Sequence, residues 1–422
     1  GSSRPWRKET ARKDRNQVSR STGIRRRMIP TRRFGRTELP MPVLTCGGMR
    51  FQHRWDEEPP KPIPAENQEN LKKTIHRALE LGIRHIETAR GYGTSEAQLA
   101  PVLKNIPRDN FILQTKVSPQ ANPDDFEKIF RTSLSRLDLP FVDLFSLHGI
   151  NQRELLEWSL RPGGCLDRAR QLQKQGLCRW VGFSTHGSPE LVEELCQGGR
   201  FDYVNLHWYY IFQEHTRSLH AAQKKDMGIF IISPNDKGGM LYQPPPKLTQ
   251  ATSPLSPMEF NTLFCLQNPH IHTLSIGAAR PTDFDEHVRA LSKLDQTTSL
   301  LPPIEHRLQH LWNEAHPADW RSCWDEGLPS WDACPKEANF REILRLHNLA
   351  CAYDLVDYAR MRYNLLGQGG HWFPGRPMGN LTPEEILPAL VRCPNPQRTL
   401  SHLLAARDLL QGEKVERLSK ST

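Results

Sequence analysis

Between residues 42 and 290 short apolar runs alternate with stretches of helical character, and this repeat limits the folds open to the chain more than any other feature. The runs are PVLTC (42–46), IRHIE (83–87), FILQTK (111–116), VDLFSL (142–147), CRWVGFS (178–184), YVNLH (203–207), GIFIIS (228–233) and HTLSIG (272–277). Between them lie amphipathic segments such as 70–82, with Leu71, Ile75, Ala78 and Leu79 on one face, and 124–139. Gly82 and Gly228 stand where a helix should stop and a strand begin. Eight strands separated by helices, at roughly 30 residues per unit, predict an α/β protein built as a parallel (β/α)8 TIM barrel. The rival is an open doubly wound sheet, which carries a G-x-G-x-x-G turn after its first strand. Here CGGMR follows instead, so the barrel is preferred. FGRTELP (34–40) reads as a short hairpin closing the barrel bottom.

The chain has 422 residues, more than one barrel needs, and the pattern changes near 295. Residues 29–295 are assigned to the barrel and 296–422 to a mostly helical appendage rich in Pro and Trp. Trp312, Trp320, Trp324, Trp331 and Trp372 are expected to anchor a small core against the barrel. The net charge of +9 is unevenly placed: residues 1–27 hold ten Lys/Arg and two acids, so +8 sits there. Segment 1–28, with few aliphatic residues and no periodicity, is expected to be disordered. It is read as an expression-tag remnant plus translated upstream sequence, with Met28 the native start. Neither nucleic acid nor a membrane is expected as partner. Nine scattered cysteines and no apolar run near the ~20 residues of a membrane helix point to a reduced cytoplasmic setting.

In such a barrel, chemistry lies at the C-terminal ends of the strands. Glu87 ends the second run and Tyr92 follows it. Lys116 ends the third and His148 follows the fourth. Ser184, Asn205 and Ser233 fall at or near later ends. A phenol ordinarily ionises near pH ~10, and an ammonium beside it stabilises the phenolate. Glu87 would hold the Lys116 ammonium, and His148 would hydrogen-bond and orient a substrate carbonyl. Proton delivery to a carbonyl oxygen while hydride reaches the carbon is aldehyde or ketone reduction, with the hydride coming from a cofactor. No His/Asp/Glu set has metal-ligand spacing, and no metal is expected.

HIETARGYGTSEAQLAPVLK resembles the aldo-keto reductase signature, and FILQTK, DLFSLHGIN, WVGFSTHG and ISPNDKGGML follow in that family's order. The resemblance spans about residues 29–290. It implies a nicotinamide cofactor, NADP with NAD as the alternative, bound without a Rossmann domain. It also implies a tetrad of Tyr92 as general acid, Lys116 and Glu87 as its tuning pair and His148. Ser184 and Asn205 match positions that hold the carboxamide. Tyr209 or Tyr210 would stack on the nicotinamide ring, and Ser233, Lys237 and Gly238 would cover the pyrophosphate. Gly277 and Asp283 align where NADP-preferring members carry a Lys and an Arg, and Arg280 nearby is the substitute. The C-terminal region resembles an extension with ferredoxin-type motifs ending in Cys-Pro. Cys334 and Cys393 match their last ligands, the upstream C-x-x-C runs are missing, and no iron–sulfur cluster is expected. The family's usual acid is Asp, one methylene shorter than Glu87. The long loop 50–66 is expected to cover the substrate cleft. The alternative to an enzyme is a cofactor-binding scaffold or redox sensor that docks a partner through its C-terminal region.

Overall fold

A computed structural model of the chain describes residues 29–57, 61–368, 374–412 and 414–416; segment 1–28 and Trp372 lie outside these. A hairpin of β1 (Thr31–Arg33) and β2 (Pro40–Pro42) comes first. Eight strands follow: β3 (Leu44–Gly47), β4 (His85–Glu87), β5 (Ile112–Val117), β6 (Val142–Leu147), β7 (Cys178–Ser184), β8 (Tyr203–Leu206), β9 (Gly228–Ile231) and β10 (Thr273–Ile276). They are parallel and close into a barrel, with β10 pairing both β9 and β3. Each predicted run holds one barrel strand.

The strands read as unbroken apolar runs because both faces are buried. One face meets the surrounding helices through residues such as Ile86, Leu113, Phe145 and Val181. The other fills the barrel. At its bottom Phe34 and Met41, flanking the hairpin turn, pack with Ile112, Leu144, Tyr203 and Phe230. Above them the filling turns polar and is partly paired within itself: Thr45 Oγ1 lies 2.7 Å from His85 Nδ1, and Ser146 Oγ lies 2.7 Å from the Tyr203 hydroxyl. The hairpin thus plugs the lower end, and polar groups collect towards the other.

The C-terminal helices Thr297–Ala315, Phe340–Tyr353, Val356–Leu365 and Pro396–Leu410 pack on one another. The first also packs on the barrel-side helices Pro246–Thr252 and Pro257–Leu266. Their apolar faces join the core of the barrel rather than forming a separate one. Trp320 is buried there; its indole N–H donates to Asn348 Oδ1 (3.0 Å) and its ring stacks on His402. No helix among the described residues is long and apolar enough to cross a membrane.

Burial holds the imidazoles of His85 and His287 down to about 3, with the Lys116 charge adding to the effect at His85. Each stays neutral in the folded chain while an unfolded imidazole takes up a proton below about pH 6.5. Stability is therefore full above that pH and falls as pH drops towards 3, by about 1.4 kcal/mol per pH unit for each group. Thermal unfolding followed by circular dichroism should give a flat midpoint from pH 7 to 8 and a falling one from 6 to 4; a midpoint constant down to pH 4 would contradict this.

Candidate active site

The residues after β4 form the first wall. Beyond Glu87 the chain stays paired with β5, Thr88 N donating to Gln114 O (2.8 Å) and Arg90 N to Lys116 O (2.9 Å), before it turns. Gly93 makes that turn with left-handed backbone (φ +51°), and a Cβ there would sit 2.0 Å from Arg54 O. Glycine is required twice over, by conformation and by space. Thr94 N donates to the same Arg54 carbonyl at 3.0 Å, so the loop after β3 and the Tyr92 loop are held together. Met49, Arg50 and Trp55, after β3, line the cavity.

Four of the sequence-predicted residues converge. Lys116 Nζ bonds the Glu87 carboxylate, donates to Thr88 O at 3.0 Å and lies 3.1 Å from the Tyr92 hydroxyl. The Tyr92 hydroxyl in turn donates to Glu87 Oε1 (3.2 Å). The longer acid therefore still reaches the lysine, and it also reaches the phenol. The ammonium lies 4.4 Å from the centre of the Tyr92 ring, and His148 stands edge-on to that ring at 5.8 Å. Lys116 and Glu87 are 1% and 3% exposed, so their charges face each other with little water between. Burial pulls the Lys116 ammonium below its usual range, and the Glu87 carboxylate opposes that pull. Burial, then the Lys116 charge, brings His148 to about 3. It is a neutral imidazole at physiological pH, able to donate one N–H. All four line a cavity of about 270 Å³ at the C-terminal mouth of the barrel.

The expected cofactor residues divide. Ser184, Ser233, Lys237 and Gly277 line this cavity. Asn205 pairs with Ser184 across β7 and β8. Its side-chain oxygen and nitrogen are both buried without a hydrogen-bond partner. A buried amide left unpaired costs about 1–3 kcal/mol per group; Asn205 is fully buried and is not among the cavity-lining residues. Its oxygen and nitrogen match a carboxamide's donor and acceptor in chemistry, one strand behind the wall that Ser184 forms. Gly238 does not line the cavity; it serves the loop, where a Cβ would lie 1.9 Å from Pro234 O. Arg280 is half exposed and pairs loosely with Asp283 (3.9 Å).

The expectation for a stacking tyrosine needs correction. Neither Tyr209 nor Tyr210 is among the cavity-lining residues. Tyr209 and Phe212 bridge each other in a tight turn, and the Tyr209 ring is fully buried with its hydroxyl donating to Ile232 O at 2.6 Å. Tyr210 packs edge-on to Phe260 and Phe264. Ile232 stands at the cavity wall instead.

Three features escaped the sequence reading. Arg50 is buried, donates to Gly277 O (2.5 Å), lies 3.6 Å from Asp283 and sits over the Tyr242 ring. Asp283 also accepts from Ala279 N at 2.7 Å, so its charge is engaged on two sides. The second is a relay running inward from the wall. Because Tyr209 spends its one proton on Ile232 O, His207 Nδ1 must donate to the Tyr209 oxygen. Burial keeps His207 neutral, and its Nε2 lies 2.5 Å from His186 Nδ1. The Nδ1 of the cavity-lining His186 also lies 3.4 Å from Lys237 Nζ, which joins the pair to the loop after β9. The third is Tyr242, whose hydroxyl donates to Gly277 O at 3.1 Å. Only Arg50 had a local signal, the single charge after CGGM. Among the described residues no group of three or more His, Cys, Asp or Glu could hold a metal ion.

The model of the Aldo/keto reductase family matches residues 43–257. An aldo-keto reductase of Mycolicibacterium smegmatis is 30% identical over 125 residues, covering 28% of this chain and 41% of that protein. An uncharacterized oxidoreductase of Bacillus subtilis is 22% identical over 279 residues, covering 57% of this chain and 89% of the relative. The chain thus spans under half the length of the first of these. An aldo-keto reductase from Klebsiella pneumoniae in complex with NADPH superposes with a TM-score of 0.51 at 18% identity, over 65% of this chain and 96% of that one. At that identity the likeness is one of fold.

Removing one member of a buried ion pair strands the other charge, at a cost of about 3–5 kcal/mol. Lys116→Met should therefore lower unfolding free energy by about that amount in urea titrations, and adding Glu87→Gln should recover a large part of it. A single variant as stable as the parent would contradict the pairing.

Proposed function

The chain belongs to the aldo/keto reductase family, and from that premise we propose that it reduces an aldehyde or ketone to an alcohol, or runs the reverse reaction, with NADPH as hydride donor and Tyr92 as general acid. The bound dinucleotide supplies the hydride. His148, neutral, donates its N–H to the substrate carbonyl oxygen and orients it. Tyr92 gives its proton to that oxygen as negative charge develops there. The Lys116 ammonium, 3.1 Å away, stabilises the phenolate left behind. Glu87 keeps that ammonium charged in a site that burial would otherwise neutralise. The observation that carries the reading is the meeting of phenol, ammonium and neutral imidazole at one cavity mouth.

Ser184 and the unpaired amide of Asn205 fit the carboxamide end of the cofactor. Lys237 and the backbone of residues 233–241 fit its phosphates. Arg50 and Arg280 supply positive charge near Gly277 and Asp283, where a 2′-phosphate would otherwise meet an acid alone. This favours NADP over NAD, and the Klebsiella pneumoniae relative was solved with NADPH. Nine free cysteines suit a reducing compartment, the cytoplasm. Cys334-Pro335 and Cys393-Pro394 are read as remnants of a ferredoxin-type extension.

One observation favours the second reading, a cofactor-binding scaffold with little turnover. The Tyr92 hydroxyl donates to Glu87 Oε1 at 3.2 Å, and a proton held by a carboxylate is not offered to substrate. Tyr92→Phe separates the two. With a panel of aldehydes and quinones, the enzyme reading expects kcat to fall by about 10²–10⁴-fold, with dinucleotide affinity unchanged. If the parent binds NADPH but oxidises none of it with any of the panel, and Tyr92→Phe alters nothing, the scaffold reading stands.

A further inference from the structure

The helical C-terminal region bonds the segments that frame the cavity. Helices Phe340–Tyr353 and Val356–Leu365 are joined by a short turn in which Asp354 is left-handed (φ 56°). They lie on the segments that follow β8 and β9. The buried Tyr358 hydroxyl donates to the Lys237 carbonyl at 2.9 Å. Arg345, also buried, pairs with Glu342 (2.8 and 2.9 Å), donates to Ile211 O (3.3 Å) and sits over the Phe212 ring at 5.3 Å.

Residues 233–241 are curled by bonds of their own: Lys237 N to Ser233 O (3.0 Å), Met240 N to Asp236 O (2.9 Å) and Leu241 N to Asn235 O (2.8 Å). Those bonds fix the curl but not its angle to the barrel. Ser233 and Met240 both take left-handed backbone (φ 52° each). Such residues cost roughly 1–2 kcal/mol apiece and persist only where surroundings hold them. Asn261 Nδ2 holds one point, donating to Pro234 O at 3.0 Å. Tyr358 holds another, at Lys237, which lines the cavity.

We propose that the helical region is a working part of the nucleotide site: Tyr358, through its bond to the Lys237 carbonyl, is a positioning residue that sets the 233–241 loop for phosphate binding. This rests on the reading that the loop covers the phosphates of the dinucleotide. It also makes dinucleotide affinity depend on how these helices dock, although none of their residues lines the cavity.

The test uses the full chain and two conservative variants. Tyr358→Phe removes only the hydroxyl. Tyr363→Phe, in the same helix, removes an equally buried one that accepts from Met378 N (3.0 Å) and donates to Gln411 (3.2 Å), away from the loop. Hydrogen exchange of ligand-free protein and NADPH titration are measured on both. Loss of the bond to the Lys237 carbonyl should speed exchange within 233–241 and weaken NADPH binding by about tenfold in Tyr358→Phe, with kcat at saturating NADPH unchanged. Tyr363→Phe should do neither. The proposal is overturned if loop exchange in Tyr358→Phe matches the parent, or if the two variants behave alike. A parent that binds no NADPH, with the exchange response intact, instead overturns the nucleotide reading and leaves the strut.

Discussion

The contact between Lys116 and Glu87 is the one on which the rest of the site depends. Two opposite charges, each almost fully buried, sit on adjacent strands. Taking a lone ammonium out of water at that depth is prohibitive, and the carboxylate offsets the cost. Such a pair is weak evidence for stability, because well-packed apolar residues would serve as well or better. A charge kept at the mouth of the barrel is better explained by what it does to the phenol beside it. The barrel supplies the means. Alternation along β4 and β5 turns both side chains inward, and β6, paired with β5, brings His148 edge-on to Tyr92.

The two ends of the barrel divide the work. Below, the hairpin plug and an apolar filling of Phe34, Met41, Leu144 and Phe230 hold the strands in place. Above, the filling is polar, and the unpaired amide of Asn205 is retained there at a cost the fold does not need. A ligand that satisfies it would return that cost as binding energy. The C-terminal helices share the barrel's core and bond the loop behind Lys237.

Much of this was legible in the sequence, for identifiable reasons. Strands buried on both faces leave continuous apolar runs, so all eight could be read. Glu87, Lys116 and His148 stand at or just past strand ends, where position along the chain fixes position in space. Arg50 and Tyr242 were not legible as site residues, because their place depends on how loops fold over the mouth. Tyr209 misled for the same reason: the turn to Phe212 buries a ring that linear spacing aims at the cavity. The bond from Tyr358 to Lys237 joins residues 121 positions apart, and no local pattern encodes it.

The central claim is that this cavity delivers a hydride to a carbonyl carbon while its own residues deliver the proton. Mass spectrometry of the alcohol formed from an aldehyde and NADPH deuterated at the nicotinamide C4 tests it most directly. The account predicts one deuterium on the carbinol carbon, from one face of the nicotinamide only. Alcohol that forms without the label, or no alcohol from a protein shown to bind the dinucleotide, would contradict it.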